Sequence, residues 1–135
     1  MEYHVAKIVK MKIEKPLTEV ELQLMNVIWS LGTCTVKEVQ TEISKDRDMA
    51  YTSVATIMKI LEGKGILSSA KSDKAHVYTS LIPKESYEAQ TLEHLAENLF
   101  QGDSSMMVMR LLDNSNLSQK DLEAIREVLD GRLSK

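Results

Sequence analysis

Apolar residues recur at helical spacing through most of this chain. Val20, Leu24, Val27, Ile28 and Leu31 form one stripe, widened by Leu22, Met25 and Trp29, which predicts a helix central to a core. It begins at Thr18-Glu19-Val20-Glu21, a capping box in which a threonine hydroxyl and a glutamate three residues on satisfy each other's amides, and Gly32 is placed to stop it. Thr35-Val36-Lys37-Glu38 repeats the box and opens a shorter helix with the narrower stripe Val36, Val39 and Ile43. After the charged turn Lys45-Asp46-Arg47-Asp48, Met49 and Ala50 lead into a third helix with two unlike faces. At about 100° per residue, Val54, Ile57, Met58 and Leu61 share one side, while Thr52, Thr56 and Lys59 cluster opposite with Ser53 beside them. Gly63 and Gly65 break the pattern. Ile66-Leu67, a polar tip Ser72-Asp73-Lys74-Ala75 and His76-Val77-Tyr78-Thr79 then read as a β-hairpin. Three helices and a hairpin predict a winged helix-turn-helix over residues 17–82, preceded by an extension, residues 1–16; Met11 offers an alternative start.

Pro83 marks a boundary, since proline suits the first turn of a helix and not a continuing central strand. Beyond it the pattern is wholly helical. Leu92, Leu95, Ala96 and Leu99 share a face of a helix from about Lys84 to Gln101, interrupted by Gly102. Met106-Met107-Val108-Met109-Arg110-Leu111-Leu112 is apolar nearly all round, and Ser118-Gln119-Lys120-Asp121 starts a last helix carrying Leu122, Ile125, Leu129 and Leu133. Three small helices with this much apolar surface, and only Tyr87 and Phe100 as aromatics, make a poor core for a single copy. Residues 83–135 therefore read as a dimerisation domain whose helices interdigitate with a second copy, using Leu92, Leu95, Leu99, Met106, Met109, Leu112, Leu122, Ile125 and Leu129. The expected fold is mainly α with a small β-hairpin wing: an N-terminal winged helix-turn-helix and a C-terminal three-helix dimerisation domain.

Charge sharpens this division. The chain of 135 residues carries a net −3, which argues against a general nucleic-acid coating protein. Yet residues 1–83 sum to +1 and residues 84–135 to −4, so the N-terminal part is the better neighbour for phosphate. Cys34 is the single cysteine, which excludes an intrachain disulfide and leaves no cysteine set for structural zinc. Residues 1–16 lack the apolar run of a signal peptide and no later run is long enough to span a bilayer, so the chain reads as cytoplasmic, with no membrane insertion.

The N-terminal part resembles the penicillinase-repressor family of bacterial winged-helix regulators, the BlaI/MecI/CopY type. The likeness rests on Leu17-Thr18-Glu19-Val20-Glu21 with Met25 and Ile28-Trp29, on Ala50-Tyr51-Thr52-Ser53-Val54-Ala55-Thr56-Ile57 with Leu61, Lys64 and Gly65, and on Ala75-His76-Val77-Tyr78. The C-terminal helices agree in length and in the start Asn116-Leu117-Ser118. This resemblance implies a homodimeric repressor binding an inverted-repeat, double-stranded DNA operator, each winged domain reading one half-site.

Within that picture, base edges are read by side chains near the start of the recognition helix, while basic residues and helix amides grip phosphates. Thr52, Ser53 and Thr56 suit base reading or phosphate hydrogen bonding, because hydroxyls donate and accept and a threonine methyl packs on a thymine methyl. Lys59, Lys64, Lys71 and Lys74 suit phosphates, and Tyr51 suits either stacking on the sugar-phosphate or capping the helix start. The bland alternative for these residues is an ordinary solvated face. Ile60 stands where the family often has arginine. Family members released by proteolysis are cut at an asparagine-phenylalanine bond, and the matching position is Arg110-Leu111; copper-responsive members end in Cys-x-Cys pairs, whereas this chain ends Gly131-Arg132-Leu133-Ser134-Lys135. His4, His76 and His94 are scattered, and Met106, Met107 and Met109 suit adaptable packing better than a soft metal, so no metal or cofactor is expected. No phosphate loop, paired metal-binding motif or nucleophile motif argues for an enzyme. The alternative function is a winged-helix protein-interaction adaptor that does not touch DNA.

Overall fold

A computed structural model describes residues 15–134; most of the expected extension, with His4 and Met11, lies outside the described residues. The elements run α1 (Glu19–Leu31), α2 (Val36–Ile43), α3 (Tyr51–Gly63), β1 (Leu67–Ser72), β2 (Ala75–Ser80), α4 (Lys84–Leu99), α5 (Ser104–Asn114) and α6 (Gln119–Leu133). Local chemistry sets their limits. The Glu21 amide donates to Thr18 Oγ1 at 3.2 Å and the Thr18 amide to Glu21 Oε1 at 3.0 Å, and Thr35 and Glu38 repeat the exchange at the start of α2. A cap of this kind stabilises by about 1 kcal/mol. At the far end of α1, Gly32 takes φ 81° and donates its amide to the Ile28 carbonyl at 2.9 Å. A left-handed φ is open to glycine without steric strain, so the chain turns there.

The α1 stripe meets α2 and α3 in one core. Leu24, Met25 and Ile28 from α1, Val39 and Ile43 from α2, and Val54, Met58 and Leu61 from α3 are buried together with Leu67, Tyr78 and Ile82. Leu31, expected in the stripe, is 39 % exposed, because it is the last residue of α1, where the chain leaves the core. The hairpin pairs Leu67 with Ser80 through Ser72 with Ala75, leaving a two-residue tip in which Asp73 has φ 55°. Its polar tip is thus shorter than the alternation suggested. β2 is also paired on its other side: the Cys34 amide donates to the Tyr78 carbonyl at 3.0 Å and the Tyr78 amide to the Cys34 carbonyl at 2.7 Å. The link between α1 and α2 therefore acts as a one-residue third strand, fixing the hairpin root to the helices.

The compact units divide after Leu92, ten residues beyond the boundary expected from Pro83. Tyr87 accounts for the difference. Its hydroxyl accepts the Leu17 amide at 3.0 Å, its ring lies 5.8 Å from that of Trp29, and Trp29 Nε1 donates to the Ile82 carbonyl at 2.9 Å. The first turns of α4 thus belong to the N-terminal unit. In the second unit, Gln101 (φ 49°) and Gly102 (φ 83°) end α4 shortly before the expected Gln101, with the Gly102 amide donating to the Ala96 carbonyl at 2.9 Å. Asp103 caps α5 by accepting the Met106 amide, and Ser118 and Asp121 form the capping box of α6. Ala96 and Met107 are buried, whereas Leu95, Leu99, Met106, Met109, Leu122 and Leu129 remain exposed.

Candidate nucleic-acid interface

The outer face of α3 is where the sequence placed it. Thr52, Ser53, Thr56 and Lys59 are all exposed, opposite the buried Val54, Met58 and Leu61. Thr52, Ser53 and Thr56 line one shallow concavity together with Ile57. The Thr56 hydroxyl donates to the Thr52 carbonyl at 2.8 Å. Its hydrogen is therefore committed to the helix, and what the side chain offers outward is an acceptor oxygen and a methyl group. Glu62 is the single carboxylate of α3 and is turned toward the hairpin, accepting from Ser69 Oγ at 2.5 Å. The arc from Lys59 through Thr52 and Thr56 to Ser53 accordingly carries no negative charge.

The start of α3 differs from those of its neighbours. Side chains cap α1, α2, α5 and α6, but Ala50 offers no side-chain hydrogen bond to α3. First-turn amides have no partner within the helix, so those of Tyr51, Thr52 and Ser53 are open to an external acceptor such as a phosphate oxygen. Sequence reasoning passed over this feature, although an alanine where α1, α2, α5 and α6 carry Thr, Asp or Ser was the visible signal. Tyr51 is 50 % exposed at this end. Burial, with the Glu62 charge nearby, raises the Tyr78 phenol above its ordinary range.

The lysines fall into two groups. Lys59 on α3 and Lys71 and Lys74 on the hairpin are exposed, Lys74 at the tip and Lys71 opposite His76. Lys64, expected among the phosphate ligands, donates instead to Glu21 Oε2 at 2.8 Å. Its ammonium clamps the end of α3 to the start of α1, because Glu21 is buried there and needs a cationic partner.

Other chemistry has little to work with. Burial, with the Glu38 charge added, pushes the Cys34 thiol up to about 11, so it stays a neutral thiol at neutral pH. His76 and His94 lie on separate elements, and among the described residues no group of three or more His, Cys, Asp or Glu comes together as a metal site. Among those residues, too, no helix is long and apolar enough to cross a membrane. Arg110 and Leu111 lie exposed within α5.

Comparison with known proteins converges on one family. The family model described as penicillinase repressor matches residues 17–131. The penicillinase repressor of Staphylococcus aureus is 26% identical over 110 residues, covering 82% of this chain and 87% of the relative, and that of Bacillus licheniformis is 27% identical over 120 residues, covering 89% and 94%. A solution structure of the DNA binding domain of the repressor BlaI is 32% identical with TM-score 0.50, over 56% of this chain and 92% of that one. The match of the family model over residues 17–131, on a chain folded as a winged helix, identifies the chain as a member of the penicillinase repressor family, whose members are DNA-binding transcriptional repressors and not enzymes.

Proposed function

We propose that this chain is a homodimeric transcriptional repressor that binds an inverted-repeat DNA operator, one winged domain on each half-site. The observation that carries the reading is the outer face of α3: Thr52, Ser53, Thr56 and Lys59 exposed, no carboxylate among them, and first-turn amides without a side-chain cap. An α-helix of this profile fits a major groove, where hydroxyls and methyls meet base edges and amides meet phosphate. Tyr51 borders the same face, and Lys71 and Lys74 bring the hairpin to the flanking backbone. Lys64 is assigned to the Glu21 clamp and not to phosphate. The BlaI domain that this chain resembles is a DNA-binding domain, which favours DNA over a protein partner for the winged unit.

Dimerisation is supported by what residues 83–135 leave uncovered. Leu92, Leu95, Leu99, Met106, Met109, Leu122 and Leu129 are between 42% and 60% exposed, with Leu112 and Ile125 half-buried. Apolar surface on this scale is stabilised when a second copy covers it. Selection of bound fragments from the source genome by the purified full chain tests the proposal. Enriched fragments sharing an inverted repeat, protected in both halves, support it; fragments without a common repeat refute it.

A further inference from the structure

Ile60 is a large apolar residue, 46 % exposed, on the hydroxyl-lined side of α3. It follows Ser53 by seven residues and Thr56 by four, so the three side chains form one row along the helix. Around it the helix surface is low. Gly63, one turn on, has nothing within 4 Å of where a Cβ would stand, and the Lys64 ammonium is drawn to Glu21 at 2.8 Å. With Lys59 at its edge, Ile60 is therefore the apolar feature that the second half of this face presents to whatever lies against it. Exposing an isoleucine to water gains nothing for the folded chain, and no core residue needs it there.

Resting on the reading of α3 as the groove-reading helix, we propose that Ile60 is a specificity-determining residue that reads a thymine by packing on its C5 methyl. That methyl is the apolar group a base pair displays in the major groove, so an isoleucine there discriminates by apolar contact where hydroxyls discriminate by hydrogen bonds. At 1.5 Å per residue, Ile60 lies about 6 Å along the axis beyond Thr56 and about 12 Å beyond Thr52. Its thymine accordingly falls in the part of the half-site farther along the groove from the base pairs met by Thr52.

The test uses the full chain and the duplex obtained by binding selection, with each thymine replaced in turn by deoxyuridine, which removes the C5 methyl alone. With the natural chain, one position per half-site weakens binding about 3- to 5-fold, the effect of one buried methyl. With Ile60→Ala the same replacement changes affinity by less than about 1.5-fold, while Thr52→Ala, about 12 Å away along the helix, leaves that position's sensitivity intact. Thermal melting of Ile60→Ala stays at the natural value, since the side chain is exposed. Selective duplex binding in which no methyl is coupled to Ile60 overturns this inference and leaves the reading of α3 standing. A natural chain that does not separate selected from random duplex overturns both.

Discussion

Lys64 Nζ stands 2.8 Å from Glu21 Oε2, and Glu21 Oε1 meanwhile accepts the Thr18 amide at 3.0 Å. One carboxylate, its side chain 9% exposed, thus serves as the cap of α1 and as the anchor for the end of α3. Burial raises the Glu21 pKa, but hydrogen bonds from Lys64 and Thr18 and the Lys64 charge outweigh it and hold the carboxyl below its ordinary 4.5. A carboxyl depressed in the folded state stabilises it above the unfolded pKa, and that contribution is lost as pH falls below 4.5 through the folded value. Stability measured by denaturant should therefore drop in that window, and Glu21→Gln should flatten this part of the profile. Because Lys64 is half in water, Lys64→Ala should cost only about 1 kcal/mol. It should leave the salt dependence of DNA binding nearly unchanged; a loss of one phosphate's worth per protomer would return Lys64 to the interface.

Thr56 and Lys74 should behave differently on DNA. Thr56→Ala should narrow the ratio between selected and random duplex by about fivefold or more, whereas Lys74→Ala should weaken both alike. Since the Thr56 hydrogen is bound to the Thr52 carbonyl at 2.8 Å, Thr56→Val separates its two outward groups: it keeps the methyl and removes the acceptor. Equal losses on both duplexes for Thr56→Ala and Lys74→Ala would contradict the division into base reading and phosphate contact.

Truncation should be sharply position-dependent. A chain ending at Leu92 keeps Tyr87 against Leu17 and Trp29 and should fold as a monomer that binds DNA weakly. One ending at Pro83 loses those contacts and should be less stable by about 2–4 kcal/mol. Melting and sedimentation of the two fragments decide this; equal stability, or a dimer from either, counts against it.

The starts of α1, α2 and α6 were legible as local chemistry: Thr18 with Glu21, Thr35 with Glu38, and Ser118 with Asp121 are spaced for capping, and the structure forms all three boxes. The α3 face was legible because helical periodicity alone separates Thr52, Thr56 and Lys59 from Val54, Met58 and Leu61. Contacts between distant residues were not. Lys64 and Glu21 are 43 positions apart, Cys34 and Tyr78 44, and Leu17 and Tyr87 70, so nothing in their neighbourhoods announces the pairing. For the same reason the boundary fell at Pro83, where the local pattern changes, and not after Leu92, where packing ends.

Charges placed in the uncovered apolar surface should separate assembly from folding. Leu99 and Met109 are 60% and 57% exposed, so Leu99→Lys or Met109→Lys should leave the helical content of the isolated chain unchanged. Each should convert the dimer to monomer in sedimentation, because a lysine ammonium desolvated in an interface has no partner there. Unaltered dimers from both would move the interface elsewhere.

In the proposed complex, two copies of α3, with the two hairpins, hold one inverted repeat. The affinity of the full chain for that repeat, titrated against salt beside a scrambled duplex, tests it most directly. Lys59, Lys71 and Lys74 from two protomers predict a log-log slope of about −5, with the repeat bound far more tightly than the scrambled duplex throughout. A flat salt dependence, or equal affinity for the two duplexes, would contradict it.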